Sequence, residues 1–416
     1  MKRYLVFSCL IIGWFAQLIG QASQEIVSIG AGYSNQTWYQ LQSGNETTAP
    51  AAEWDLAFEL SAAGSSILIN SPAQIELWNY PNSDTSGWLI LDTAGIETWQ
   101  NRWNSDTSWA LGAFSNAANP NDPFDLDWGT YNTFTHAVTA DSLYVIKLAN
   151  GAYKKLWVRE LTGGTYSFTY ADIGGSNESD RFVTKSNFVG KNFAYYSIEN
   201  DTILDREPIS TDWDLLFTKY TAFIPLAYPV SGVLANVNTE IAQVEHVGNV
   251  NTYTNWGAAT FQTPVNTIGY DWKAYTGAWV IEDSLLYFVK TQAGDVWKLV
   301  FTGFGGSGNG EFRFTKELMA PTATDDFLIN ELDPIKIFPN PVRQGALLSW
   351  NLSTGHRPGK VTAVVRDLNG QEVYRETISR SLDQQSIRLP LNVVSGLYLL
   401  ELKGENLLHY QQIMVQ

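Results

Sequence analysis

An internal duplication restricts this chain more than any other feature. Glu53-Trp54-Asp55-Leu56-Ala57-Phe58 recurs as Asp212-Trp213-Asp214-Leu215-Leu216-Phe217. Trp38-Tyr39-Gln40-Leu41 precedes the first block, and Tyr195-Tyr196-Ser197-Ile198 precedes the second. Further on, Asp127-Trp128-Gly129-Thr130-Tyr131 matches Asp271-Trp272-Lys273-Ala274-Tyr275, and Tyr144-Val145-Ile146-Lys147 matches Tyr287-Phe288-Val289-Lys290. Gly151 with Lys155-Leu156 then matches Gly294 with Lys298-Leu299. Each copy closes on an alternating aromatic segment, Tyr166-Ser167-Phe168-Thr169-Tyr170 or Phe312-Arg313-Phe314. The order of the blocks is kept, so one structural unit is present twice. The copies span 23–185 and 186–318, and the first carries additional sequence near 76–125.

The period inside each copy is two rather than 3.6. Tyr144, Ile146 and Leu148 alternate with Val145 and Lys147, and helical spacing is scarce. The expected fold class is all-β, with two tandem antiparallel modules of sandwich or half-barrel type and a small β-sandwich after them. Asp55 and Asp214 each follow a Trp and precede an apolar run. A lone acid in that setting reads as a carboxylate bonded to backbone, because acid–base catalysis on sugars needs a pair.

The ends of the chain differ from its middle. Lys2 and Arg3, the apolar run Leu5 to Ile19, and the small residues Gly20 and Ala22 read as a secretory signal peptide over 1–22. The one Cys, Cys9, lies inside it, so no disulfide framework or thiolate metal site is expected in the mature chain. Residues 335–416 carry 9 Lys and Arg against 6 Asp and Glu. That +3, with the +2 of Lys2 and Arg3, leaves −21 on residues 23–334 out of a whole-chain −16. Such asymmetry marks a separate unit, and the acidity disfavours binding to a nucleic-acid backbone. Residues 319–334 read as the linker into that unit. No later segment has the length to span a membrane as a helix.

The last 80 or so residues alternate in strand fashion and resemble the type A C-terminal sorting domain of the Bacteroidetes type IX secretion system. The resemblance rests on Phe338-Pro339-Asn340-Pro341, Asp367-Leu368-Asn369-Gly370, Gly396-Leu397-Tyr398 and a short apolar terminal strand. Pro339, Asn340, Pro341, Gly396 and Tyr398 are the sorting-motif residues. The resemblance implies engagement of the type IX secretion machinery, then a cell-surface or extracellular location.

The duplicated blocks resemble the HmuY-like family, all-β haem-binding proteins that are secreted or lipid-anchored. Membership implies haem as ligand and a carrier role without catalysis. Haem iron takes His, Met, Cys or Tyr as axial donors. The two copies hold one histidine each, His136 and His246, and the repeat alignment sets His136 against Val280. A bis-histidine site within one module is therefore excluded. Both histidines also read as ordinary surface or strand residues, and a haem site using Tyr, or one His with another donor, remains open.

A second reading concerns tryptophan. Fourteen of the 16 tryptophans lie from Trp38 to Trp297, and the insertion in the first copy holds Trp78, Trp88, Trp99, Trp103 and Trp109. Trp99, Trp103 and Trp109, among Asn, Asp and Arg, suit stacking on sugar rings. The alternatives to a haem carrier are thus a glycan- or protein-binding, adhesin-like surface module, or a structural surface protein. Equally, such rings fill a local core, given the area each one buries. Other motifs are weaker. Gly303-Phe304-Gly305-Gly306-Ser307-Gly308 leads into a strand and reads as a hairpin loop. The acidic loop Asn121 to Asp127 lacks Ca²⁺-loop spacing. No metalloprotease, P-loop or serine-hydrolase signature is present, so no metal ligands, catalytic residues or enzyme activity are expected.

Overall fold

The computed structural model describes residues 22–320 and, in the tail, 337–351, 360–367, 371–378, 384–390, 393–404 and 407–416. The signal-peptide reading over 1–22 falls almost entirely outside these residues, as do Leu368-Asn369-Gly370 and the linker from 321 onward. Among the described residues the fold is all-β. The only helical turns are 3-10 turns of three to five residues.

Two compact units are present, divided near Thr322. The first is a stack of four antiparallel layers. The first layer runs Ser179–Thr184, Thr165–Asp172, Tyr153–Thr162, Tyr144–Lys147, Glu76–Asn79 and Asn101–Arg102, with the hairpin Gly129–Asn132/Ala137–Ala140 beside it. The second runs Thr202–Leu204, Phe193–Ser197, Leu56–Glu59 and Ile67–Ile69. The third runs Ala227–Ala235, Leu215–Phe223, Asn35–Tyr39 and Glu46–Pro50. The fourth runs Ser23–Ser28, Glu311–Ala320, Val296–Phe304, Leu286–Lys290 and Glu240–Val244.

Alternating side chains weld these layers together. In the second layer, Ala194 and Tyr196 point into the core shared with Tyr144, Leu156 and Phe168 of the first. Phe193 and Tyr195, one residue out of phase, point the other way onto Trp38, Leu216 and Tyr220 of the third. The third layer likewise sends Tyr39, Leu215 and Phe217 toward Tyr287, Phe301 and Phe314 of the fourth. Strands buried on both faces read as continuous apolar runs, which is why the Trp-Asp-Leu blocks show no clean alternation.

The interlayer cores do not follow the two sequence copies. The strand Asn35–Tyr39 of the first copy pairs with Leu215–Phe223 of the second, Trp38 opposite Leu216. Reciprocally, Phe193–Ser197 of the second copy pairs with Leu56–Glu59 of the first, Tyr196 opposite Leu56. Each copy thus lends its opening strand to the other, and the sequence boundary at 185/186 separates repeats but not cores. The strand from Glu311 also continues through Met319 to Ala320, and both of these pack on the outer face of the fourth layer rather than starting a linker.

Equivalent polar locks hold the two exchanged strands. Asp55 N–H donates to Tyr196 O (2.9 Å), and Asp214 N–H donates to Tyr39 O (2.8 Å). The carboxylate of Asp55 accepts from Ile198 N–H (2.6 Å) and Glu199 N–H (3.2 Å), and that of Asp214 accepts from Leu41 N–H (2.8 Å). Asn70 and Asn236 complete the pattern, each donating Nδ2 to the carbonyl of the Trp before the Asp, at 2.9 Å to Trp54 and 2.7 Å to Trp213.

Charge is buried between the second and third layers. Arg206 donates to Glu53 Oε1 (3.0 Å), Gln36 Oε1 (2.6 Å) and Pro50 O (2.6 Å), with its guanidinium over Trp38 and Tyr195. The adjacent Glu207 accepts from Tyr195 Oη (2.9 Å) and Asn192 N–H (3.0 Å). Burial pushes Glu207 up from 4.5 to about 7 and Asp214 up from 3.8 to about 6.

The tail is a small sandwich of a three-stranded and a four-stranded sheet around Trp350, Val365, Leu400 and Ile413. It brings the sorting-motif residues to its terminal strand. Asn340 Oδ1, between Pro339 and Pro341, accepts from Met414 N–H (2.9 Å). Gly396 pairs with Val415 and Tyr398 with Ile413, and Tyr398 Oη donates to Val394 O (2.7 Å).

Two outcomes are expected from the buried charges. Arg206→Ala removes the ion-pair partner of Glu53 and empties a buried, hydrogen-bonded site, and should cost about 3–5 kcal/mol in chemical denaturation. A carboxyl whose folded pKa is raised favours folding while protonated and loses that contribution as pH rises through the folded value. Wild-type melting temperature should therefore fall between about pH 5 and about pH 8. Glu207→Gln should flatten that fall, and a parallel curve would contradict the role given to Glu207.

Candidate functional site

The insertion in the first copy is mostly a cover. Trp78 and Trp88 pack with Tyr80, Leu91 and Val145 on the outer face of the first layer, and half-buried Trp99 joins them edge-on to Tyr80 at 5.4 Å. Lys155, fully buried, fastens this cover by donating Nζ to Trp88 O (2.8 Å). Its repeat counterpart, Lys298, fastens the loop over the fourth layer by donating to Asn251 O (3.1 Å). Trp103 is half-buried, and its carbonyl accepts from Asn116 Nδ2 (3.2 Å). Trp109 departs from this group. Its Nε1 donates to Ala235 O (2.8 Å) and its ring packs on Phe193 at 6.0 Å, beside the core between the second and third layers. The structure therefore does not gather Trp99, Trp103 and Trp109 into one aromatic surface.

The two histidines also lie apart, in different modules. His136 closes the turn of the hairpin Gly129–Asn132/Ala137–Ala140, its N–H donating to Asn132 O (2.8 Å). His246 is exposed in the segment after Glu240–Val244. Both adopt left-handed φ, 54° and 57°, a region in which His is among the more tolerated residues.

His136 has a partner that sequence reasoning did not single out. Tyr131, five residues earlier on the facing strand, places Oη 2.8 Å from His136 Nδ1. The hairpin brings the two together across its turn, and Phe124 stacks on Tyr131 at 6.4 Å. Both line a cleft of about 430 Å³ with Leu126, Val138, Leu161 and Lys185. Gly163 and Gly164 form the two-residue turn on its rim, with φ of 55° and 75°, a Gly-Gly hairpin signal that was readable. Lys185 donates to Ser61 O and Gly64 O, both 2.6 Å, and burial lowers its pKa.

Two other clefts exist in this unit. One, about 70 Å³, lies between the second and third layers by Trp54, Asn70 and Tyr220. It has space for a few waters. The other is an open cleft of about 800 Å³ beside Trp109, the turns at 236–240 and 290–294, and the segment at 263–265.

The remaining candidates have structural roles. Asp127 pairs with Arg102 (3.1 Å) and accepts from Ala117 N–H (3.0 Å), while Asp125 accepts from Asn119 N–H (2.7 Å). The acidic loop thus satisfies its own backbone. The Gly303–Gly308 segment connects strands Val296–Phe304 and Glu311–Ala320, a hairpin connection. Among the described residues, no group of three or more His, Cys, Asp or Glu is placed to hold a metal ion, and no helix is long and apolar enough to cross a membrane.

Comparison with known proteins locates the tail. Residues 336–416 match the family model of the secretion system C-terminal sorting domain. None of the curated proteins matches the chain. Among solved structures, a fungal alcohol oxidase of the AA5 family in complex with copper is similar at 10% identity and a TM-score of 0.16, over 96% of this chain and 99% of that one. A tetra-tandem repeat from the extending region of a large adhesion protein gives 10% and 0.15, over 89% and 94%. Escherichia coli alpha-2-macroglobulin activated by porcine elastase gives 9% and 0.13, over 96% and 44%. These scores carry no argument. The sorting domain does: it addresses the chain to type IX secretion and so to the cell surface or the medium.

Truncation after Leu332 should leave the protein in the periplasm, read by fractionation and immunoblot. Normal export of the truncated chain would refute the role of the tail.

Proposed function

We propose that this exported chain is a non-enzymatic binding protein that captures haem at the Tyr131–His136 cleft. The observation that carries the reading is the 2.8 Å contact between Tyr131 Oη and His136 Nδ1 at the mouth of a cleft of ligand size. Tyrosinate is an established axial ligand of haem iron. Ligation requires loss of the phenol proton, and an imidazole already bonded to that phenol gives the proton a place to go when the proton on the ring sits at Nε2. A hydrogen-bonded neighbour of this kind also fixes the ligand's orientation.

The surroundings suit a flat, largely apolar ligand with carboxylate arms. Leu126, Val138 and Leu161 supply apolar wall. Phe134, 95% exposed at the same hairpin tip, and half-exposed Phe124 extend it outward. A Cβ added at Gly163 or Gly164 meets nothing, so that rim is open. Lys185 has no ion-pair partner among the described residues and uses two of its three donors on carbonyls, leaving one for a propionate. The likeness of the duplicated blocks to HmuY-like carriers supports the same ligand. A ligand set of one Tyr backed by one His also explains how a module with a single histidine serves this role.

Hemin titration of the full chain should produce a Soret band that Tyr131→Phe abolishes. His136→Ala should weaken binding about 10- to 100-fold, as loss of a partner behind a metal ligand does, and His246→Ala should leave it unchanged. A band that survives Tyr131→Phe, or no band at all, would sink the proposal.

A further inference from the structure

The cleft beside Trp109 differs in chemistry from the haem cleft, and we propose that it binds a neutral oligosaccharide. Four segments form it: the loop at 107–110 from the first copy's insertion, the turn at 236–240, the segment at 263–265, and the turn at 290–294. Its volume of about 800 Å³ is within the range of ligand sites, about 300–1,000 Å³.

Its electrostatics are unusual for this chain. On a molecule of net charge −16, only two charged side chains line the cleft, Glu240 and Lys290, and they pair with each other at 2.9 Å. No cation is left over for a phosphate, sulfate or carboxylate, and no anion for an amine. The ligand that fits is uncharged.

The uncharged lining mixes hydrogen-bonding groups with apolar surface from Val237, Pro264 and Val265. Thr239 and Thr291, both more than nine-tenths buried, have hydroxyls with no hydrogen-bond partner among the described residues. Thr107 and Ser108 on the rim loop bring further hydroxyls, groups that both donate and accept. Asn238, exposed and held in left-handed conformation at φ 57°, and Gln292, whose Nε2 alone is bound to Ser210 O, add amide groups. A polyhydroxylated ligand matches mixed donors and acceptors of this kind better than a peptide, whose side chains would bring charge or apolar bulk.

Trp109 supplies the apolar surface that a sugar ring needs. Its indole is clamped through Nε1 to Ala235 O and against Phe193, so the ring is ordered before a ligand arrives. Preordered aromatic surface costs little conformational entropy on binding. The same indole walls the small cleft between the second and third layers, which ties the loop to the rigid core.

The test is a printed array of neutral tri- to hexasaccharides with sulfated and uronate-bearing counterparts, probed with the full chain. Binding confined to neutral glycans is expected. Trp109→Ala should lower it at least tenfold, and so should Ala110→Arg, which fills the cleft from an exposed rim position and disturbs no buried partner. Thermal unfolding of both variants shows whether the fold is kept. Both should retain the hemin Soret band, since the haem cleft shares no residue with this one, so the two proposals fail separately. Absence of any array signal, a signal only on anionic glycans, or binding unaltered by Ala110→Arg would overturn the inference.

Discussion

Two buried aspartates hold the four-layer unit in register. Asp55 and Asp214 each end an inward turn, present a backbone N–H to a tyrosine carbonyl and take backbone N–H donors onto a carboxylate. In both cases the strand so held belongs to the other sequence copy. A carboxylate removed from water demands such donors, and the exchanged strands are where they lie. The exchange interlocks the copies, so neither half has a closed core without a strand from its partner. Residues 22–320 accordingly form one compact unit although the repeat is evident.

The exchange has a consequence for polarity. Layers two and three each pack on both faces, and their shared interface holds Arg206, Glu53, Gln36 and Glu207 among Trp38, Trp54 and Tyr195. A buried guanidinium is tolerated because three acceptors meet it and two aromatic faces flank it. Glu207 obtains neutral donors but, among the described residues, no ion-pair partner, so burial prevails and its pKa rises. The centre of the molecule is therefore pH-sensitive, while its outer faces are sealed by loops pinned through Lys155 and Lys298.

Duplication also accounts for where binding chemistry sits. Repeated residues are spent on the core and the locks: the Trp-Asp blocks, the Lys-Leu strands and the aromatic closing strands all have paired structural duties. The two proposed clefts lie where the copies differ. His136 has no counterpart in the second copy, and Trp109 belongs to an insertion found only in the first. Both clefts have turns on their rims, the usual place for binding groups on a rigid scaffold.

Much of this was legible without coordinates. Period-two alternation and turn chemistry identify an all-β chain, because a half-buried strand can satisfy its pattern in no other way. The backbone-bound role of Asp55 and Asp214 followed from an acid flanked by core residues. The sorting domain was readable from Pro339-Asn340-Pro341 through Gly396 and Tyr398, since their order along the chain is itself the signal. Strand exchange was not legible. Trp38-Tyr39 and Tyr195-Tyr196 offer nearly the same side chains to either Trp-Asp strand, so sequence leaves their pairing degenerate, and only the packing of four layers resolves it. The Tyr131–His136 contact was hidden for a related reason. A hairpin turn brings the Tyr131 hydroxyl to the His136 ring, and turn geometry rather than composition decides which side chains meet across it. Likewise, only tertiary structure separated Trp109 from Trp99, because Trp99 packs on the outer face of the first layer and Trp109 beside the core between the second and third.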